Sequence, residues 1–127
     1  MTLVRIAVSG MGRNRMKELL ERRGGERVEV RALSDIEGVT AVQRGEVDYY
    51  LGACLSGAGG ALAMATALLG PQLAVRLSGL GGMPDPAEIR RRVDEGAKAF
   101  GLMSAHLDAG IPPLLDAILD RASHTSA

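Results

Sequence analysis

A cysteine and several glycines follow apolar segments of the chain, where a fold could bring them together. Cys54 ends an apolar, strand-like segment and directly precedes a turn rich in small residues, and Gly10-Met11-Gly12-Arg13 follows the first apolar segment. Glycine lets a backbone approach a ligand closely and aim consecutive N–H groups at it, which favours phosphate or carboxylate as the ligand. The alternative is that these glycines only permit tight turns. The residues expected to contact a small anionic metabolite are Gly10, Gly12, Arg13, Ser56, Gly57, Ala58, Gly59, Gly60, Gly79 and Gly81.

Two side chains are candidates for catalysis. Backbone amides and a following helix would favour a thiolate at Cys54, which would make it a base or a nucleophile. The alternative is that this lone cysteine only packs in the core, as many do. His106, just after the last predicted strand, is a candidate acid or base because imidazole titrates near neutral pH, although surface histidines commonly have no such role.

Strand-like and helix-like segments alternate along the chain. The predicted strands are 3–8, 28–33, 49–53, 73–77 and 100–103, and the predicted helices are 14–23, 35–44, 60–69, 86–98 and 111–120. Five such units predict an α/β fold, a single-domain three-layer sandwich over 1–120 with a five-stranded parallel sheet. We expect the flavodoxin-like (Rossmann-like) strand order 2-1-3-4-5, with the alternating second strand at an edge. Residues 121–127 are predicted to form a flexible C-terminal tail.

This topology predicts where the ligand binds. In open parallel sheets, ligands lie beyond the carboxyl ends of the strands, where the strand order reverses, here between strands one and three. The helix beginning near Gly60 would offer its amino terminus to an anion. Gly10-x-Gly12 is an incomplete dinucleotide fingerprint, because Arg15 stands where a third glycine belongs, although Asp35 is near the ribose-binding position. We therefore expect no cofactor.

Composition excludes several classes of function. The chain has 127 residues, and its 15 basic and 15 acidic side chains cancel, which argues against binding to nucleic acid. A single cysteine excludes a disulfide framework and a four-thiolate zinc site, so we expect no metal and a cytoplasmic location. No charge occurs over 49–75, but glycines and Pro71 interrupt this segment, so no membrane span is predicted. Since helix 61–69 is apolar on all sides, we expect burial against a second copy in a homo-oligomer, a dimer or higher.

The sequence also resembles a known family. Its segment GEVDYYLGACLSGAG over 45–59, with Ala99-Phe100-Gly101-Leu102 and Ala109-Gly110-Ile111-Pro112, is similar to the short bacterial proteins of the YhfU type. The similarity extends over nearly the whole chain. It implies a small cytosolic protein with a domain of unknown function.

A second resemblance is local. Gly45-Glu46-Val47-Asp48 and the Cys-x-Ser-Gly-x-Gly turn over 54–59 resemble, in order and spacing, the RpiB-type (LacA/LacB-like) sugar-phosphate isomerases. That resemblance implies that Cys54 moves a proton between sugar carbons, while Ser56 and the amides of Gly57 and Gly59 hold the enediolate oxygen. The family has an Asp-His pair after its first strand, where this chain has Gly10-Met11-Gly12.

Three functions remain open from the sequence. The first is binding of a small anionic metabolite at the glycine-rich turn, in a sensor or an accessory protein. The second is a proton-transfer enzyme, an isomerase acting on a sugar phosphate with Cys54 as base. The third is a structural subunit of an assembly, in which the apolar helix forms an interface.

Overall fold

The computed structural model describes residues 3–55, 59–77, 82 and 85–125, and it confirms the predicted α/β class. Five parallel strands form one sheet: β1 (Val4–Gly10), β2 (Val28–Ala32), β3 (Tyr49–Cys54), β4 (Ala74–Arg76) and β5 (Ala99–Met103). The helices are α1 (Arg13–Gly24), α2 (Asp35–Gln43), α3 (Gly60–Leu69), α4 (Pro86–Asp94) and α5 (Leu107–Thr125). Short 3-10 turns occupy Gly25–Arg27 and Ser104–His106.

The strand order is β2-β1-β3-β5-β4. The first three positions confirm the prediction, and the order of the last two is wrong, because β5 lies between β3 and β4. Side-chain burial explains the exchange. The first four residues of β5 are buried, as an interior strand requires, whereas the three-residue β4 carries an exposed Arg76 that is suited to an edge. In consequence, the turn after β5, and not the turn after β4, begins beside the end of β3.

Successive residues of β1 face opposite layers of the sandwich. Ile6 and Val8 pack in the larger core, which α1, α4 and α5 cover, while Ala7 faces the smaller core beneath α2 and α3. The smaller core is rich in alanine, and Tyr50 is its largest side chain. Because side chains in a strand alternate, Ser9, Tyr50 and Cys54 all lie on the α2/α3 face of the sheet.

Two helix ends differ from the predictions. Helix α4 ends at Asp94, four residues early, because Gly96 has a left-handed φ of +101°. Helix α5 begins earlier and ends later than 111–120. Arg121 explains its extension, since its guanidinium donates hydrogen bonds to the carbonyl oxygens of Val93 and Asp94 at 3.2 and 2.7 Å, joining α5 to the end of α4.

The uncharged segment over 49–75 forms β3, α3 and the start of β4. Within one chain, α3 is covered on one side only: Ala61 and Ala65 are buried, whereas Ala63, Ala67 and Leu68 are exposed. The expectation that α3 is buried on all sides is therefore not met by a single chain, and the homo-oligomer stays a prediction. In the described part of the chain, no helix combines the length and apolarity needed to cross a membrane.

Candidate functional site

The turn after β1 is in direct backbone contact with the end of β3. The amide of Met11 donates to the carbonyl oxygen of Ala53 at 2.9 Å. Gly10 has a φ of +87°, and a Cβ at this position would lie 2.1 Å from the same oxygen. Only glycine fits here, and the close approach joins the ends of the two strands from which the predicted ligand turns continue.

Two helices begin beside this contact without a side-chain cap. Helix α1 starts after Gly12 and α3 after Gly59, and neither first turn receives a capping hydrogen bond from a described side chain. By contrast, the Ser34 hydroxyl accepts from an amide in the first turn of α2, and the Asp85 carboxylate does the same for α4. Among α1 to α4, the two amino termini without a side-chain cap are thus the pair at the point where the strand order reverses.

Of the two arginines at the start of α1, only Arg13 is left for a ligand. Its side chain is exposed, and among the described residues its Nη1 donates to the carbonyl oxygen of Leu33 at 3.2 Å. Arg15 instead binds both carboxylate oxygens of Asp108 at 3.0 Å and also contacts Glu18. These two carboxylates hold Arg15 between α1 and α5.

Cys54 is the last residue of β3 and is partly exposed. Its Sγ accepts a hydrogen bond from the amide of Gly59 at 3.2 Å. A donor aimed at sulfur stabilises negative charge on it. The same bond engages the Gly59 amide within the protein, although the isomerase resemblance assigned that amide to the substrate oxygen.

His106 lies closer to this site than the predicted strand order implied. Because β5 pairs with β3, Cys54 is in register with Met103, and the 3-10 turn Ser104–His106 follows directly. Nδ1 of His106 is buried and has no hydrogen-bond partner among the described residues. A buried ring nitrogen of this kind is a candidate to bind a group that enters from outside.

Other predicted site residues are distributed differently. Gly60 is the exposed first residue of α3, and no described heavy atom lies within 4 Å of a Cβ built on it. The remaining predicted contacts lie outside the described residues: Ser56, Gly57, Ala58, Gly79 and Gly81. Within 3–55, 59–77 and 85–125, no group of three His, Cys, Asp or Glu side chains is placed to hold a metal ion.

Only half of the isomerase-like pattern lies at this edge of the sheet. Asp48 immediately precedes β3, at the opposite end of the strand from Cys54. Its carboxylate accepts a hydrogen bond from the amide of Arg5 at 2.8 Å and lies 3.9 Å from the Arg5 guanidinium. Asp48 thus joins the start of β3 to β1.

The sequence did not identify a buried polar cluster formed by Ser9, Asp35 and Tyr50. Ser9 Oγ lies 2.6 Å from Oδ1 of Asp35, the Tyr50 hydroxyl lies 3.1 Å from the same oxygen, and the two hydroxyls contact each other. The sequence does carry a signal for this cluster. Each of two interior strands contains a hydroxyl, Ser9 near the carboxyl end of β1 and Tyr50 near the amino end of β3, and buried polar groups require partners. For the partner, Asp35, the sequence suggests a ribose-binding position or a helix cap, and neither role predicts these contacts.

Comparison with solved structures supports the architecture. Ribose 5-phosphate isomerase RpiB from Thermotoga maritima is similar with a TM-score of 0.62 and 21% sequence identity, over 91% of this chain and 86% of that one. Ribose-5-phosphate isomerase B from Clostridium thermocellum is similar with a TM-score of 0.59 and 20% identity, over 91% and 81% of the two chains. At these identities the likeness establishes the fold alone.

Sequence comparison establishes the family. "Uncharacterized protein YhfU" from Escherichia coli K12 is 34% identical over 112 residues, which are 88% of this chain and 96% of that protein. The proteins of the same description from Escherichia coli O6:H1 and Shigella flexneri match equally well. Residues 4–118 match the family described as "Protein of unknown function DUF2620". The chain belongs to the DUF2620 family.

Proposed function

We propose that the protein binds a small anionic metabolite at the carboxyl edge of β1 and β3. The observation that carries this proposal is the pair of uncapped helix starts, α1 after Gly12 and α3 after Gly59. The first-turn amides of a helix lack partners within the helix, and the helix dipole places partial positive charge there. An anion bound between the two helix starts would accept hydrogen bonds from the free amides of both helices and would interact favourably with both dipoles.

The charges around the edge favour the same ligand. Arg13 extends from the first residue of α1 and is exposed, so it is free to approach an anion bound there. Neither α1 nor α3 has an acidic residue in its first turn, whereas α2 and α4 both do. Acidic side chains stabilise helix starts in the absence of a ligand, so their absence at these two helices leaves the positive potential open.

The structural neighbours suggest the class of anion. Both are described as ribose 5-phosphate isomerases, and this chain shares their fold over most of its length. Helix amino termini at the switch point of such a sheet are common phosphate sites. We therefore place phosphorylated sugars first among the candidate ligands, ahead of simple carboxylates.

A charge-insertion variant tests the proposal. Gly60→Glu adds a carboxylate in the first turn of α3, where a Cβ meets no described atom within 4 Å, so the fold should be retained. It would compete with a bound anion, and we expect affinity for ribose 5-phosphate or inorganic phosphate to fall about tenfold or more in calorimetric titration. Gln72→Glu, at an exposed position after α3, is the matched control for net charge.

The outcomes separate clearly. Weaker binding in Gly60→Glu with unchanged binding in Gln72→Glu supports the site at the start of α3. Equal effects of the two variants, or no binding of any phosphate or carboxylate by the unmodified protein, contradict it. Arg13→Gln, compared with Arg22→Gln at the other end of α1, is expected to weaken binding several-fold at low salt only.

A second candidate function is proton transfer on the bound sugar phosphate. The hydrogen bond from the Gly59 amide to Sγ of Cys54 favours it, because this bond stabilises a thiolate. The thiolate would take a proton from the carbon next to a carbonyl, leaving an enediolate. The thiol would return this proton to the former carbonyl carbon, while the hydroxyl proton passes from its oxygen to the former carbonyl oxygen. Atoms and charge then balance without a cofactor.

Isotope exchange distinguishes catalysis from binding. In D2O, an isomerase of this kind introduces deuterium into the sugar carbon, which NMR detects. We expect Cys54→Ser to abolish exchange while changing affinity by less than about threefold, because Cys54 would act as a base and not as an anion ligand. The absence of exchange in the unmodified protein, or exchange that survives in Cys54→Ser, contradicts the enzymatic function.

The third candidate is assembly through α3. The exposed side of this helix presents Ala63, Ala67 and Leu68, with no charged residue between Gly60 and Leu69. We propose that a second copy covers this side in a homo-oligomer. Light scattering should then give at least twice the chain mass, and Ala67→Glu should lower it; a monomer at all concentrations contradicts the proposal.

A further inference from the structure

The buried cluster of Ser9, Asp35 and Tyr50 is unusual in how its hydrogen bonds are distributed. Both hydroxyls are directed to a single carboxylate oxygen, Oδ1 of Asp35, at 2.6 Å from Ser9 and 3.1 Å from Tyr50. No described residue donates a hydrogen bond to the other oxygen, Oδ2. Ser9 and Tyr50 are almost fully buried, whereas Asp35 is partly exposed. The carboxylate is therefore held on its inner side and accessible on the other.

The protonation of Tyr50 keeps this arrangement intact. Burial raises the pKa of Tyr50 above its usual range; the hydrogen bond with Ser9 lowers it, but the negative charge of Asp35 raises it further. The phenol thus stays protonated at neutral pH and acts as a donor. With Ser9 as the second donor, the two hydroxyls fix the carboxylate without neutralising it.

The backbone around Tyr50 is adapted to its ring. A Cβ at Gly38 of α2 would lie 2.6 Å from the ring, and a Cβ at Gly52 of β3 would lie 2.9 Å from the hydroxyl. Any larger residue at either position would displace Tyr50. The position of the phenol, and through it that of Asp35, is consequently set by the packing of two elements.

This carboxylate lies at the same edge of the sheet as the proposed anion site. Ser9 immediately precedes Gly10 in β1, and Asp35 is the first residue of α2. Asp35 would repel a phosphate placed against it, so the anionic group must bind toward α1 and α3 instead. A neutral hydroxyl, by contrast, can donate to the free oxygen in a charge-assisted hydrogen bond.

We infer that Asp35 binds a hydroxyl group of the ligand and that Ser9 and Tyr50 position it for that contact. The inference rests on the proposed anion site and narrows its ligand to a hydroxyl-bearing anion, such as a phosphorylated polyol. Its phosphate lies at the helix starts and a hydroxyl at Oδ2 of Asp35. The site thereby selects against anions of equal charge that lack hydroxyls.

A matched pair of ligands tests this selection. Ribose 5-phosphate and pentyl phosphate carry the same anionic group, and only the first has hydroxyls along its carbon chain. We expect the unmodified protein to bind ribose 5-phosphate about tenfold or more tightly in calorimetric titration. Asp35→Asn, which replaces the free acceptor by an amide donor or a neutral acceptor, should reduce that preference. It should not weaken binding of pentyl phosphate, because it removes a negative charge near the anion site.

The outcomes distinguish this inference from the function on which it rests. Equal affinity of the unmodified protein for the two phosphates overturns the role of Asp35 and leaves the anion site standing. Binding of neither phosphate overturns both. Tyr50→Phe gives a second test, because it keeps the ring and removes one hydrogen-bond donor to Asp35. It should partly reduce the preference for ribose 5-phosphate over pentyl phosphate. An unchanged preference overturns the positioning role of Tyr50.

Discussion

Replacing Gly10 by alanine is expected to be among the most destabilising small changes in the chain. The added Cβ would lie 2.1 Å from the carbonyl oxygen of Ala53 and 3.2 Å from its carbon and nitrogen, distances that no rotamer change can relieve. That oxygen also accepts the hydrogen bond from Met11 at 2.9 Å. The clash therefore requires β1 and β3 to separate at the end where the candidate site is formed.

The expected cost is the sum of two effects. A non-glycine residue at a φ of +87° costs roughly 1–2 kcal/mol, and loss of the Met11 hydrogen bond costs about 0.5–1.5 kcal/mol. With some strand displacement added, we expect Gly10→Ala to lower the free energy of unfolding by about 2–4 kcal/mol. That would be a large fraction of the roughly 5–15 kcal/mol that holds a typical domain together.

Two other glycines separate these effects. Gly45 has a φ of +75° with no atom near its hypothetical Cβ, so Gly45→Ala should cost only the backbone strain, about 1–2 kcal/mol. Gly60 is helical and equally open, so Gly60→Ala should be neutral or stabilising by up to ~1 kcal/mol. Urea unfolding followed by circular dichroism measures all three. If Gly10→Ala costs no more than Gly45→Ala, the close approach of β1 and β3 is not what requires glycine.

Three further changes probe the elements around the site. Ser34→Ala should cost about 1 kcal/mol in urea unfolding, because it removes the hydrogen bond from the Glu37 amide and half of a capping box. Tyr50→Phe should cost about 1–3 kcal/mol, because it removes a buried donor to Asp35. The Arg23 guanidinium holds the pKa of Asp116 below its ordinary value of 3.8, so this pair contributes stability above that pH and loses it as the pH falls further. In Asp116→Asn, the urea midpoint should accordingly fall less steeply below about pH 4 than in the unmodified protein.

Each of these has an outcome that contradicts it. An unchanged urea midpoint in Ser34→Ala would mean that solvent replaces the cap without loss. A stability gain in Tyr50→Phe would mean that burying the hydroxyl lowers the free energy of unfolding by more than its hydrogen bonds raise it. If Asp116→Asn has the same acid sensitivity as the unmodified protein, other carboxylates account for the acid transition.

The fold was predictable where local patterns decide it. Val28–Ala32 alternates buried and exposed residues, which placed β2 at an edge, and the crossover lengths favoured parallel strands. The same reasoning would have placed β4 at the other edge, since it is short and ends in Arg76. The order of the segments along the chain instead suggested that β4 lies next to β3 and that β5 forms the edge. In the structure β5 is buried between β3 and β4, so β4 forms the edge.

The polar cluster could not be predicted in the same way. Its three members come from β1, α2 and β3. Their contacts require that Ser9 and Tyr50 lie on the same face of the sheet, that α2 begins at Asp35, and that two glycines leave space for the Tyr50 ring. A register shift of one residue in either strand would move its hydroxyl to the opposite core. Ser9 and Tyr50 were each visible as polar groups on apolar strands, but only the coordinates show that both bind Asp35.

The exchange of β4 and β5 changes which residues are suited to act together. In parallel strands the turns at the carboxyl ends of neighbours are adjacent, so Cys54 shares its edge with the turn that carries His106. Gly79 and Gly81 follow β4, which pairs with β5 and not with β3. If Cys54 is the proposed base, His106, whose buried Nδ1 lacks a partner among the described residues, is therefore placed to act as the complementary acid or base. Asp35 contacts Ser9 and Tyr50 and lies on the β1 side of β3, where it is suited to the proposed contact with a ligand hydroxyl. The proposed proton-transfer group and the proposed hydroxyl-binding group would thus lie on opposite sides of β3.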